Sequence, residues 1–301
     1  MDLILAWGIE IIVAIQTIRS PLLDAFFRGV TFLGNGAFYL LLAPIIIWCV
    51  NYKLGARLGI LLLLSSYINE ALKNALMQPR PCEPRPEICI DHAEGYGLPS
   101  GHSQTAIVFW GVIAQWIERA SAWIAAILLM LLMGLSRIYL GVHFPTDVFV
   151  GWAIGIAILG TYLVLGKRIE SFLAGLSLSV QILLAVSLPA LLLALQPNDV
   201  MVQVTGAFAG IAVGVALTIR YLEFDAGGPL WMRAIRFLLG GAVVAAIYFG
   251  LRIIFPGEGE SLYAVFRFIR FGLVGLWISL GAPWLFLRLG LAEARQPQFE
   301  V

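Results

Sequence analysis

Apolar runs of about 18 or more residues recur along the whole of this chain, long enough as helices to cross the hydrocarbon core of a bilayer. No other feature restricts the fold as strongly, because backbone amides in lipid must find their hydrogen bonds within their own segment. Of 301 residues, 60% are hydrophobic and 12% charged, against roughly 25% charged in ordinary soluble domains. The expected architecture is all-α, a polytopic transmembrane helical bundle. Candidate spans cover 34–52, 56–77, 102–118, 122–142, 146–166, 178–196, 201–221, 234–255 and 264–287. The net charge of +1 offers no basic field for nucleic acid.

The opening MDLILAWGIEIIVAIQTIRS lacks a basic n-region and a small-residue cleavage site, so it does not read as a removable signal peptide. With Glu10 and Gln16 inside it, residues 3–19 read either as a helix lying at the interface or as a weak first span. Lysine and arginine near the helix ends set the orientation. Lys53, Arg57, Arg119, Lys167, Arg168, Arg220, Arg233, Arg236, Arg288 and Arg295 fall on alternate connections, which places those connections in the cytoplasm. Residues 78–101, His143 to Asp147, 196–199 and 256–261 then share the opposite face. Arg80, Arg85, Arg252, Arg267 and Arg270 break the pattern; Arg80 belongs to the chemistry below, and the other four read as snorkelling or headgroup contacts. Cys49 reads as a small core residue. Cys82 and Cys89, in one loop, can form a disulfide if that loop faces an oxidising compartment.

Charge at membrane depth is costly, so ionisable residues there point to function. SRIYLGVHFPTD, Ser136 to Asp147, follows the apolar run WIAAILLMLLMGL and carries Arg137, His143 and Asp147. Gly141 lets the chain bend, and Pro145 suits the first position of a new helix, putting Asp147 in its first turn. Asp147 can then accept from one ring nitrogen of His143 and leave the other as a nucleophile. A second segment, KNALMQPRP, places Lys73 near the outer end of a helix and Arg80 just beyond a helix-ending proline. A third, PSGH, sets Ser100 as an N-cap, with Gly101 and His102 opening a helix whose free amides favour an anion. Three cations and neutral donors suit a phosphoryl group, whose oxygens need charge stabilisation fixed beforehand. Two histidines supply the attack on phosphorus and the proton for the leaving oxygen. With no carboxylate cluster, Cys/His metal spacing or Walker loop, the chemistry needs no metal or other cofactor.

K-x6-R-P, P-S-G-H and S-R-x5-H-x3-D, in this order, resemble the three-part signature of the type 2 phosphatidic acid phosphatase superfamily. The resemblance covers about residues 56–166 and extends less fully over 20–55. EGYGLPSGH and SRIYLGVH look most similar to the sphingosine-phosphate-phosphatase-like branch. It implies that His143 is the nucleophile, forming a phosphohistidine, that Asp147 supports it, and that His102 is the general acid. Lys73, Arg80, Ser100, Gly101 and Arg137 match the phosphate-binding positions. His92 matches no motif position and reads as a solvated loop residue. FDAGGP, 224–229, reads as a cytoplasmic turn rather than a phosphate loop, since no Lys-Ser/Thr follows.

The implied organisation is a six-helix phosphatase core over 1–166, with about four additional transmembrane helices over 167–301 that carry no chemical motif. The implied activity is hydrolysis of a lipid phosphate or lipid diphosphate, with the bilayer and the lipid as partners. The expected location is a bacterial inner (cytoplasmic) membrane with the site facing outward. A phosphotransferase using the same site with a lipid or sugar hydroxyl as acceptor is the alternative. An anion or lipid transporter is the reading from another class, although binding alone needs neither the histidines nor Asp147. Nothing in the sequence sets the oligomeric state.

Overall fold

A computed structural model describes residues 2–294; Arg295, counted above with the cytoplasmic cations, lies outside the described residues. The chain is all-α: α1 (Asp2–Gln16), α2 (Pro21–Phe32), α3 (Gly36–Cys49), α4 (Tyr52–Leu76), α5 (Gly101–Ile117), α6 (Ala120–Tyr139), α7 (Pro145–Gly175), α8 (Leu178–Leu195), α9 (Asp199–Tyr221), α10 (Leu230–Ile254), α11 (Tyr263–Leu276) and α12 (Ala282–Arg288). A π-helical turn, Trp277–Gly281, joins α11 to α12 without a break. Among the described residues, six helices are long and apolar enough to cross a membrane: α6, α7, α8, α9, α10 and the continuous Tyr263–Arg288. The protein is an integral membrane protein.

The expected spans at 34–52, 56–77 and 102–118 form helices, but not ones that length and composition alone assign to a membrane. α3 and α5 have 14 and 17 residues. α4 has 25 residues but carries Ser65, Asn69, Glu70 and Lys73, of which Ser65 and Asn69 are buried against protein. At 1.5 Å per residue, the 15 residues of α1 reach about 22 Å, short of a hydrocarbon core of about 30 Å. Gln16 ends α1 by donating its amide to the carbonyls of Ile88 and Tyr139 at 2.7 and 2.8 Å. α2 is absent from the expected spans. Its start is local chemistry: Ser20 caps the helix by accepting from the Leu23 N–H at 3.3 Å, Pro21 takes the first turn, and Asp24 follows at the positive end of the helix dipole.

The chain packs as two units, one comprising the chain through Tyr39 with Ser65–Lys167, the other Leu40–Leu64 with the chain from Arg168. The division expected at 166/167 leaves residues 40–64 with the first part. In the structure they join the second, because Trp48 and Tyr52 donate to the carbonyls of Ile278 and Ser279 at 2.8 and 2.7 Å. Thr218 donates to the same Ser279 carbonyl at 2.7 Å. These carbonyls lie in the π turn, where the helical ladder shifts and side-chain donors can take their place.

Arg236, expected on a cytoplasmic connection, is fully buried, donating to the carbonyls of Asp225 and Ala226 at 3.4 and 3.1 Å and to that of Gly227. The FDAGGP segment is therefore a loop wrapped around a guanidinium, with Phe224 and Ala226 buried beside it. Arg270, expected to snorkel, is 7% exposed. Arg267 donates to Asp199 at 3.3 Å and to the Tyr263 hydroxyl.

In the first unit, α5, α6 and α7 meet at small residues. A Cβ on Gly151 would lie 2.6 Å from the Ser100 carbonyl, so glycine lets α7 approach the turn that starts α5. Gly141, at φ +73°, turns the chain after α6; a Cβ there would stand 2.1 Å from the Ile88 carbonyl. A disulfide joins Cys82 to Cys89 across a Cα separation of 5.6 Å.

Candidate active site

The turn before α5 is braced from below. Asn69 of α4 donates to the Pro99 carbonyl at 3.3 Å and to Gln104 Oε1 at 2.9 Å. Gln104 in turn donates to the Ser65 carbonyl and hydroxyl, both at 2.8 Å. All three side chains are buried, so a broken link would leave an unsatisfied polar group inside the protein. From the other side, the Ser100 N–H donates to the Asp147 carbonyl at 2.9 Å. The start of α5 is thus held between α4 and α7, with Gly101 and His102 facing a cavity of about 300 Å³.

That cavity gathers Lys73, Arg80, Gly101, His102, Arg137 and His143 from all three sequence segments. Two expected residues stand behind its wall. Ser100 is fully buried, and its hydroxyl accepts from the Ser103 hydroxyl at 3.0 Å and the Ser103 N–H at 3.5 Å, as a cap rather than a wall group. Asp147, also fully buried, stands behind His143: its Oδ2 lies 3.2 Å from His143 Nδ1 and accepts from the Phe144 N–H at 3.0 Å. Its Oδ1 accepts from Gln78 Nε2 at 2.7 Å.

The His143 tautomer follows from its partners. Arg80 Nη1 lies 3.1 Å from His143 Nε2. A guanidinium has only donors, so Nε2 must be the nitrogen that presents a lone pair. The Nδ1 proton then points at the Asp147 carboxylate. His143 is 2% exposed. Burial, reinforced by Arg80, Arg137 and Lys73, holds its pKa well below the ordinary imidazole value, so the ring is neutral near pH 7.

The arginines differ in how far they are committed. Arg80 donates to the carbonyls of Val142 at 2.9 Å, Gly95 at 2.7 Å and Glu94 at 2.8 Å, strapping two loops around His143. Arg137 is 4% exposed; Nη1 donates to the Thr31 hydroxyl, and its Nε is enclosed without a partner. The side chains of Lys73 and His102 make no hydrogen bond among the described residues, although both line the cavity. A preformed set of donors around a cavity, beside a ring nitrogen that carries a lone pair, suits an oxyanion.

Several residues of the cavity belong to none of the three sequence segments. Thr31 and Asn35 line the cavity from α2 and the turn after it, as do Asp91, His92 and Glu94 from the loop before α5. His92 is exposed, as expected of a loop residue, yet forms part of the wall. The Ser-Pro start of α2 with Asp24 behind it was a legible helix signal, but nothing local showed that this helix ends at the site. Gln78 sits inside K-x6-R-P at a position the pattern leaves open.

The chain is similar to known proteins in sequence and in fold. A sequence profile described as "PAP2 superfamily" matches residues 54–170, and one described as "PAP2 superfamily phosphatase, transmembrane extension" matches 202–294. The lipid phosphate phosphatase delta of Arabidopsis thaliana is 30% identical over 182 residues, covering 55% of this chain and 44% of that protein. The match thus spans less than half of that relative's length. Phosphatidylglycerophosphatase B of Bacillus subtilis (strain 168) is 33% identical over 170 residues, covering 52% of this chain and 81% of that protein. The crystal structure of a transmembrane PAP2 type phosphatidylglycerolphosphate phosphatase from Bacillus subtilis superposes with a TM-score of 0.50 at 26% identity, over 56% of this chain and 89% of that one.

Proposed function

Because this chain belongs to the PAP2 superfamily, we propose that it is a membrane phosphatase hydrolysing a lipid phosphate or lipid diphosphate through a phosphohistidine on His143. The observation that carries the reading is the two-sided hold on His143: Asp147 at Nδ1 and Arg80 at Nε2, which leaves a neutral ring whose Nε2 lone pair accepts from Arg80 until a phosphate oxygen takes that donor over. The terminal phosphoryl group sits among Lys73, Arg80, Arg137 and the amides at the start of α5. The Nε2 lone pair forms the N–P bond while the P–O bond to the lipid breaks, and His102 passes a proton to the departing oxygen. Water then attacks phosphorus and gives a proton to His102. The N–P bond breaks, releasing phosphate and restoring His143. Asp147 stabilises the positive charge that the ring carries as the phosphohistidine forms.

In this reading the site faces away from the cytoplasm. Two features support that: the exposed Lys53, Lys167 and Arg168 lie at the other ends of helices reaching the site, and Cys82–Cys89 is a bond kept in oxidising compartments. The test is phosphate release by purified protein in detergent from sphingoid-base phosphate, phosphatidic acid, phosphatidylglycerol phosphate and polyprenyl diphosphate. His143→Ala is expected to abolish release from whichever lipid is turned over and His102→Ala to slow it by about 10²–10⁴-fold, and a base-stable, acid-labile phosphoenzyme is expected in the wild type and not in His143→Ala. Full activity of folded His143→Ala protein would end this account.

A further inference from the structure

Arg270 serves no part of the site above. It lies on α11, seven residues and hence about 10 Å from Tyr263, and is 7% exposed. Its neighbour Arg267 is matched by Asp199 and the Tyr263 hydroxyl. Arg270 makes no hydrogen bond or ion pair among the described residues, and its Nε is enclosed without a partner. Its guanidinium lies over the rings of Tyr248 and Phe271, at 5.2 and 5.5 Å from their centres. Ring faces return only part of what a guanidinium loses on leaving water, and they satisfy none of its five donors.

An apolar groove of about 590 Å³ runs between α10 and the helix that continues from α11. Ala246, Gly250 and Ile254 line it from α10; Leu273, Trp277 and Leu280 line it from the other side. Arg270, Leu273, Trp277 and Leu280 follow one another at helical spacing on a single stripe. The uncompensated cation therefore stands at the head of the stripe whose next members wall the groove. The groove is open at Gly250, where a Cβ would meet nothing within 4 Å.

An unsatisfied guanidinium leading into an apolar channel has the chemistry of an amphiphile's binding site. We propose that Arg270 and the α10–α11 groove hold a bilayer phospholipid of net negative headgroup charge, its phosphate on the guanidinium and an acyl chain in the groove. Guanidinium and phosphate match in charge and in bidentate geometry. The lipid held here is a phosphodiester and is not turned over, so the assignment stands apart from the catalytic reading.

Native mass spectrometry of the full chain tests it, after delipidation and titration with dioleoyl phosphatidylglycerol or dioleoyl phosphatidylcholine. The wild type is expected to retain one phosphatidylglycerol with at least about tenfold preference over phosphatidylcholine. Arg270→Gln should remove that preference, and Gly250→Trp, which fills the groove, should weaken retention of both lipids about tenfold. His143→Ala should retain phosphatidylglycerol as the wild type does. Wild-type retention by Arg270→Gln or Gly250→Trp overturns the proposal, as does loss in His143→Ala. Should neither variant fold, the wild type alone decides: equal retention of the two lipids overturns the site.

Discussion

Arg137 and Arg236 are arginines of the two packing units, 4% and 0% exposed, each with an enclosed Nε that has no partner. Their terminal nitrogens separate them. Those of Arg236 are spent on three carbonyls of one loop, with the ring of Phe224 at 5.9 Å. Arg137 meets the protein through the Thr31 hydroxyl and otherwise faces a cavity that also holds two histidines and a lysine. A buried guanidinium whose donors are filled by backbone is a fastening. One whose donors are left open beside a ring nitrogen that carries a lone pair is prepared for a ligand. Burial of charge is common to both, and the degree of saturation tells them apart.

That contrast can be broken in four ways. The largest expected effect is at the centre of the cavity: His143→Ala should lower phosphate release by at least about 10⁴-fold, the scale of losing a covalent nucleophile, with a melting profile close to the wild type. His102→Ala should cost about 10²–10⁴-fold, as for a lost general acid, and phosphoenzyme formation in a stopped-flow assay should fall in parallel. Arg137→Gln and Arg236→Gln should then diverge. Arg137→Gln is expected to reduce kcat/KM by roughly 10–100-fold with little change in Tm. Arg236→Gln should lose about 1.5–3 kcal/mol of stability while its folded fraction keeps wild-type kcat. Equal effects of the two on both readouts would erase the distinction.

The smallest effect is in pH. The pKa of His143 is lowered by burial and neighbouring cations, so the ring loses its proton at a lower pH than a free imidazole. The nucleophile must be neutral, so activity is lost as pH falls through that lowered pKa. The acid limb of kcat/KM due to His143 should therefore lie below about 6.5. An acid limb above pH 7 that disappears in Asp147→Asn would show instead that the carboxylate raises the ring's pKa.

Much of this was legible in the chain. Lys73, Arg80, Gly101, His102, Arg137 and His143 reach the cavity as their motifs implied, because each sits at a helix end whose position is set by local signals: Pro79 and Pro81 after α4, Ser100 at the start of α5, Gly141 and Pro145 between α6 and α7. Ser100 was legible as a cap but not as a residue behind the wall, since that depends on α7 closing over it at Gly151. Thr31 and Asn35 were not legible, because α2 reaches the site by folding across the chain rather than by any pattern shared with the three segments.

From its sequence alone the chain is determined to be helical and membrane-embedded, with two histidines, an aspartate and three cations able to meet at one face. Hydropathy, caps and breakers act over a few residues, and they suffice for that. Only the tertiary structure decided which polar groups are already satisfied. Arg236 and Arg270 look alike in sequence, as charges near the ends of apolar helices. One is filled by carbonyls of the loop before its helix, and the other is left with the ring faces of Tyr248 and Phe271. Saturation of a donor depends on which backbone and side-chain atoms arrive within about 3 Å of it, and that is a property of packing that no local pattern carries.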